Sequence, residues 1–380
     1  DKIGRKKTLR LIAEIFTVTT ILCTLALNAW SISIFRFILG IAVGAASTLS
    51  PMYLAEISPE ESRSASIDKN AIFIVLGQLC AFTVNAALGN IWGRWDPIWR
   101  IMLLSAAVPA IILWINSYKI SNSPQWLLFN DHPNKARQLF YKLKFSNVPQ
   151  LLATHEEHVA NSKESNFKWS TVINDKGLVY LLFTGIVIAF VQQISGVNTV
   201  MYYGTILLEK VGLGESGSLY ANILIGAVSV IATILGTRLI EKSNHYHMLY
   251  IGLFGNAVFL CLLGFIMKIS TFPQGLVNIL VLVCLALFLA NHQGLVSPVT
   301  WLLLAEMFPE KVKAQFMSIA TATNWITNFI ISLVYPQLIA SLGMAVVFFI
   351  FALANGMSTI LSILFINNHR MKIAYQGVDH

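Results

Sequence analysis

A ten-residue motif occurs twice in the chain, as LAEISPEESR at residues 54–63 and as LAEMFPEKVK at residues 304–313. The two copies have Leu, Ala, Glu, Pro and a second Glu at the same positions, and both end on a basic residue. Each copy closes a long apolar stretch. A match of this kind predicts a chain built from two related halves.

Apolar stretches make up most of the chain, since 56% of the 380 residues are hydrophobic and only 12% are charged. A water-soluble domain of this size could not cover so much apolar material with polar surface. Stretches of about 20 apolar residues match a helix that crosses the ~30 Å hydrocarbon layer. We therefore predict an all-α membrane protein in a lipid bilayer, with ten spans at residues 8–28, 31–55, 67–92, 98–118, 178–207, 218–240, 246–268, 276–305, 314–340 and 344–367.

The repeated motif also predicts how many helices each half has. The first copy ends the second of four spans, and the second copy ends the fourth of the six spans that follow a long polar segment. Equal halves would have six helices each, so we expect two N-terminal helices to be absent from this sequence, leaving ten of twelve. The predicted domains are an incomplete N-terminal bundle (helices 3–6, residues 1–118), a linker (119–177), and a C-terminal six-helix bundle with a short tail (178–380). This layout is typical of the major facilitator fold, which binds substrate near the bilayer midplane between its halves.

The basic residues predict the orientation in the membrane. Alternate threading of the spans puts 21 Lys and Arg residues on one side and four on the other. The richer side, with the linker and the C-terminus, is then cytoplasmic. Within the linker, Leu139, Phe140 and Leu143 form an apolar stripe, which favours an amphipathic helix over a flexible segment. The net charge of +8 thus reflects topology, and we expect a plasma-membrane monomer that binds no nucleic acid.

Charged side chains at the helix ends are candidates for a gate. Ionised groups at that depth need partners, so we predict salt bridges that close the cytoplasmic side in the outward-open state. The alternative is that these side chains only extend into the interfacial water. The gate candidates are Arg5, Lys6, Glu56, Arg63, Glu306 and Lys313.

Arg36 lies inside a predicted span and has no evident partner in this sequence. An acidic residue on an absent helix could pair with it and couple transport to protons. A structural Arg near the interface remains the alternative.

Residues 192–203, QQISGVNTVMYY, place three amides, a hydroxyl and a glycine inside a predicted membrane helix. Amides both donate and accept hydrogen bonds, as a polyhydroxylated substrate leaving water requires. Gly196 would permit a break in the helix.

This stretch resembles the seventh-helix motif of the sugar porter family, which includes proton-linked xylose and galactose symporters and facilitative glucose carriers. Further resemblances run along the whole chain in the family's order. They are found at residues 1–7 (DKIGRKK), 36–44 (RFILGIAVG), 51–59 (PMYLAEISP), 298–306 (PVTWLLLAE) and 324–328 (NWITN).

The resemblance implies transport of a monosaccharide by alternating access, with proton symport expected and facilitated diffusion left open. A polyol or other small solute, or a sugar sensor on the same fold, are the alternatives. The residues implied to contact the sugar are Gln78, Gln192, Gln193, Asn198, Trp301, Asn324 and Asn328. For the amides the alternative role is hydrogen bonding between helices, and for Trp301 it is aromatic packing. The sequence has no nucleophile–base pair and no metal or nucleotide motif, so we predict neither an enzyme nor a cofactor.

Two departures from the family pattern bear on function. Ala71 stands where the family usually has a sugar-binding glutamine, which keeps the polyol alternative open. The loop at 241–247, EKSNHYH, lacks the family's second Gly-Arg-Arg motif. We therefore expect the C-terminal half of the charge gate to be weaker.

Overall fold

The computed structural model describes residues 3–130, 132–153, 169–240, 243–268, 272–309 and 312–366. In these residues the regular structure is helical, with no strand. Ten spans within them are long and apolar enough to cross a membrane. The spans predicted from the sequence agree with these ten to within three residues at each end, so the all-α membrane class is confirmed.

The chain divides into two compact units, residues 1–166 and 167–380. The helices of the first unit are α1 (Arg5–Leu25), α2 (Ala29–Ile57), α3 (Glu60–Trp92), α4 (Ile98–Ser105), α5 (Ala107–Ser117), α6 (Pro124–Phe129) and α7 (Pro133–Lys142). Those of the second are α8 (Trp169–Asn174), α9 (Lys176–Ile194), α10 (Val197–Val211), α11 (Gly214–Ile240), α12 (His245–Lys268), α13 (Gln274–Asn291), a π-helical segment (His292–Val296), α14 (Ser297–Met307), α15 (Lys313–Leu342) and α16 (Met344–Phe365).

Capping side chains explain where several helices begin. Asn28 and Ser31 form a reciprocal capping box at the start of α2. Ser123 accepts a hydrogen bond from a backbone N–H of α6, whose first residue is Pro124. Asp175 accepts two backbone N–H groups of α9. Side-chain acceptors satisfy the N–H groups that the first helical turn leaves unpaired.

In the first unit, α1 packs against α2, α4 and α5, around a small core that includes Leu9, Ile12 and Tyr53. The linker helix α7 has its own apolar cluster with α6, in which Phe140 is 1% exposed. The predicted stripe residues Leu139 and Leu143 pack partly buried against this cluster. Part of the linker, residues 154–168, lies outside the described residues.

The second unit has two apolar clusters separated by buried polar side chains. On α15, Ala320 belongs to the first cluster and Tyr335 to the second, and Asn324 lies between them along the helix. The other long helices repeat this order. We name the intervening side chains the polar layer; its members are Gln192, Gln193, Ser195, Asn256, His292, Asn324, Asn328 and Asn355, each at most 7% exposed.

A π-helical segment interrupts the span that the sequence predicts as one helix at 276–305. Two helices approach this segment closely at glycines. A Cβ on Gly236 of α11 would collide with the carbonyl oxygen of Gly294, and a Cβ on Gly252 of α12 would lie 2.6 Å from Val296. The backbone contact therefore requires Gly236.

Candidate substrate-binding site

The site begins at a break between two helices. Helix α9 ends at Ile194 and α10 begins at Val197, and Gly196 between them has φ 82° and ψ 7°. This left-handed conformation suits glycine. A Cβ on Gly196 would also lie 3.0 Å from the ring of Phe351. The helix break that the sequence predicted at Gly196 is therefore present.

Gln192, just before the break, is hydrogen-bonded to a side chain from a distant part of the sequence. Asn324 Nδ2 on α15 donates to Gln192 Oε1 over 2.6 Å and lies 3.2 Å from the carbonyl oxygen of Ala189. Both side chains are buried. Two residues predicted as substrate ligands thus form one amide pair, and the NH2 group of Gln192 and the Oδ1 of Asn324 make no hydrogen bond to the described residues.

The adjacent amides have fewer contacts within the protein. Gln193 is 4% exposed, yet its side-chain amide makes no hydrogen bond to any of the described residues. Asn198, in the first turn of α10, is half-buried and likewise has no described side-chain partner. Buried amides without internal partners gain most from a ligand that supplies hydrogen bonds.

Asn328 lies one helical turn beyond Asn324 on α15. Its Nδ2 donates to the hydroxyl of Tyr202 over 3.2 Å, and its Oδ1 accepts from Ser332 over 3.3 Å. Tyr202 itself is 57% exposed. The predicted ligand Asn328 is therefore hydrogen-bonded to an accessible tyrosine on α10.

Trp301 on α14 has an exposed fraction of 37%. A tryptophan that only filled the core would be more deeply buried. The accessible ring can stack on the C–H face of a ligand, which is the role predicted for it.

The other two residues predicted to handle substrate or protons belong to the first unit. Gln78 is half-buried on α3, and Arg36 is exposed on α2. Arg36 forms no ion pair with the described residues. Neither the sugar contact of Gln78 nor the coupling role of Arg36 is tested by these positions, and both stay predictions.

Gate candidates of the first unit make defined contacts. The Nε of Arg5 lies 3.1 Å from both carboxylate oxygens of Glu56, and its Nη2 lies 2.9 Å from Oε1. Both side chains are largely buried, at 14% and 8% exposed. Lys6 donates to the carbonyl of Tyr118 over 2.9 Å. The Nε of Arg63 is buried without a hydrogen-bond partner among the described residues.

In the second unit, His245 contacts Glu306, the glutamate of the second motif copy. His245 is the first residue of α12, as Arg5 is the first residue of α1. Its Nδ1 lies 3.2 Å from Oε2 of Glu306, which is 52% exposed at its side chain. Lys313 begins α15 and is half-buried. Although the arginine motif is absent, Glu306 therefore has a nitrogen partner at the equivalent position.

Comparisons with known proteins identify the family. The family model "Sugar (and other) transporter" matches residues 1–370. The chain belongs to this sugar transporter family. Two relatives from Bacillus subtilis are 38% identical to it: the major myo-inositol transporter IolT, over 92% of this chain and 74% of the relative, and the putative metabolite transport protein YfiG, over 97% and 75%. The D-xylose transporter of Levilactobacillus brevis is 31% identical, over 90% of this chain and 74% of the relative.

The fold is that of a solved sugar transporter. The inward-open structure of the xylose transporter XylE from E. coli superposes with a TM-score of 0.79 at 23% identity, over 97% of this chain and 80% of XylE. This likeness confirms the major facilitator fold. The protein is a multi-pass membrane transporter of the sugar transporter family, as its sequence motifs predicted.

Sequence reasoning missed several members of the polar layer of this transporter. Asn355 Nδ2 on α16 donates to the carbonyl of Ser195 over 3.1 Å. Asn256 Nδ2 lies 3.0 Å from His292 Nδ1, and Asn291 donates to Asn256 Oδ1 over 2.8 Å. The sequence signal for these side chains was a lone amide at Asn256 and Asn355 and the polar run Asn291-His292-Gln293, each inside an apolar span.

Proposed function

We propose that this protein carries a monosaccharide across the plasma membrane by alternating access and couples its movement to protons. The main support for this proposal is the group of buried amides at the helix break. Gln192 and Asn324 form a hydrogen-bonded pair there, and the side-chain amide of Gln193 has no hydrogen-bond partner among the described residues. Proton coupling is supported by similarity to the arabinose–proton symporter of Bacillus subtilis, 28% identical over 93% of this chain and 76% of the relative.

Neutral amides suit a sugar better than a charged solute. Each sugar hydroxyl leaving water loses a donor and an acceptor, and an amide can replace either. The described polar layer has no carboxylate, lysine or arginine that would select an ion. An exposed Trp301 ring adds an apolar face for the sugar's C–H groups.

A cyclic polyol is the second candidate substrate. The identity to the myo-inositol transporter IolT, 38%, exceeds the 32% to the glucose transporter GlcP of Staphylococcus epidermidis and the 31% to the xylose transporter. A cyclic polyol offers the same ring of hydroxyls as a pyranose. Ala71 in place of the family's usual glutamine also favours a substrate other than a typical hexose.

We assign the charged pairs Arg5–Glu56 and His245–Glu306 to the cytoplasmic helix ends, with the linker and the C-terminus on the same side. There they stabilise one conformation of the carrier and must separate in another. A bound sugar shifts this equilibrium only through a difference in affinity between the conformations. The carrier works as a monomer.

The test is uptake of labelled xylose, glucose, galactose and myo-inositol into proteoliposomes, with and without an inward proton gradient. We compare the wild type with Gln193→Ala and with Gln337→Ala, a control amide exposed on α15. Saturable uptake that Gln193→Ala reduces at least tenfold and Gln337→Ala leaves unchanged is the expected result. Dependence on the gradient establishes symport. Uptake of myo-inositol alone selects the polyol, and no uptake of any of the four by folded protein refutes both candidates.

A further inference from the structure

We propose that Asn355 of α16 is a positioning residue that holds the helix break in place and thereby orients the substrate-binding amides. The inference rests on the proposed function of those amides. Asn355 is 0% exposed, so it acts on a ligand only through the residues it contacts.

The break leaves carbonyl groups at the end of α9 without the partners that a continuous helix would supply. Local groups satisfy two of them: the Ser195 hydroxyl donates to the Gln192 carbonyl over 2.7 Å, and the Gly196 N–H donates to the Gln193 carbonyl over 3.5 Å. The carbonyl of Ser195 receives its donor from Asn355 instead, over 3.1 Å. The Asn355 side chain on α16 thus hydrogen-bonds the backbone in the middle of the break.

Asn355 is itself anchored to its own helix. The same Nδ2 group donates to the carbonyl of Phe351 over 2.8 Å. The Phe351 ring occupies the space where a Cβ of Gly196 would lie. Successive turns of α16 therefore fix the break by a hydrogen bond to Ser195 and by contact beneath Gly196.

The geometry of the break sets the direction of the amides on both sides of it. Gln192 and Gln193 occupy the last turn of α9, and Asn198 the first turn of α10. A rotation of the Ser195 peptide would turn these side chains relative to one another. It would also change the 2.6 Å contact between Gln192 and Asn324. Holding Ser195 preserves the arrangement that a sugar would bind.

The hydrogen bonds of Asn355 also allow a positioning role to be distinguished from a role in the stability of the fold. Its Oδ1 is buried and has no hydrogen-bond partner among the described residues. Replacement by leucine removes this unpaired oxygen, which favours folding, and leaves the Ser195 carbonyl without its donor, which opposes folding. The two effects on the free energy of unfolding partly cancel, whereas the effect on the amides does not.

The experiment compares Asn355→Leu with Asn222→Leu in the purified protein. Asn222 is a matched control because it is a buried asparagine outside the polar layer, 7% exposed, whose amide donates to the Thr205 hydroxyl over 2.7 Å rather than to the break. Equilibrium binding is measured with the sugar or polyol that the wild type transports. Hydrogen exchange is followed in peptides covering residues 190–200. Asn355→Ala removes the same donor with a smaller side chain and is used if the leucine variant does not fold.

The expected result is a dissociation constant raised roughly tenfold or more by Asn355→Leu, the effect of about one lost hydrogen bond. Amide exchange at residues 195–200 becomes faster in the same variant. Asn222→Leu changes neither the dissociation constant nor the exchange rate by more than about threefold.

Binding and exchange that both match the wild type in a folded Asn355 variant overturn the inference. So do equal effects of the two substitutions on binding. If the wild type binds none of the four test compounds, the proposed function fails, and the exchange measurement still decides whether Asn355 holds the break.

Discussion

Gly196→Ala is the sharpest test of the helix break. The substitution adds one methyl group at a residue whose φ is 82°. It places that methyl 3.0 Å from two ring carbons of Phe351. Both the backbone conformation and the available space therefore oppose an alanine.

The expected loss of stability is estimated from the backbone conformation and from the space available for the methyl group. A left-handed conformation costs a non-glycine residue roughly 1–2 kcal/mol, and forcing a methyl into a packed site costs about 1–3 kcal/mol. The lower entropy of alanine in the unfolded chain returns only about 0.4–1 kcal/mol. We expect a net destabilisation of about 1–4.5 kcal/mol, which lowers the melting temperature by on the order of 10 °C for a unit of this size.

The assay is thermal unfolding of the detergent-solubilised protein, followed by the fraction that remains monodisperse. Gly356→Ala on α16 is the control, because a Cβ there meets nothing within 4 Å. Alanine is favoured over glycine inside a helix by about 1 kcal/mol, so this variant should melt at or above the wild-type temperature. Gly196→Ala that melts with the wild type and binds substrate equally well would refute our account of the break.

Three further outcomes are expected. Glu56→Gln removes the negative charge that the Arg5 guanidinium contacts and should destabilise the protein by about 1–3 kcal/mol, measured by the same unfolding assay; an unchanged melting temperature would show that the pair contributes little. Gly236→Ala forces a methyl into the backbone of the π-helical segment and should reduce the folded yield more than Gly196→Ala does; equal yields would contradict that contact. Alanine substitutions of Gln192 and Asn324 should weaken sugar binding non-additively, with a coupling energy of about 0.5–3 kcal/mol in a double-mutant cycle; additive losses would show that the amide pair does not act as a unit.

Hydropathy and motif spacing were sufficient to predict the fold. The bilayer fixes the length of an apolar helix, so span ends could be placed to within three residues. The break at Gly196 was predictable too, because glycine lies among polar residues in an otherwise apolar span. The repeated motif at 54–63 and 304–313 indicated the major facilitator fold that the likeness to XylE confirms.

The pairing of side chains could not be predicted in the same way. Gln192 and Asn324 are separated by 132 residues and meet only because α9 packs against α15. Asn355 has no neighbouring polar residue to mark it in the sequence. The π-helical segment lies against α11 at Gly236, a close approach that hydropathy does not report. These features arise from tertiary contacts, whereas the helices arise from local composition.

The pairs Arg5–Glu56 and His245–Glu306 have corresponding positions in the two units but different chemistry. Arg5 and His245 both begin a helix, and their partners Glu56 and Glu306 both lie at the end of a span. The guanidinium of Arg5 bonds both carboxylate oxygens of Glu56, whereas the imidazole of His245 contacts one oxygen of Glu306 through a single nitrogen. The two units therefore place contacts of different chemistry at corresponding helix ends. Position follows from where the helices begin and end, so a side chain of different chemistry can occupy it without a change of fold.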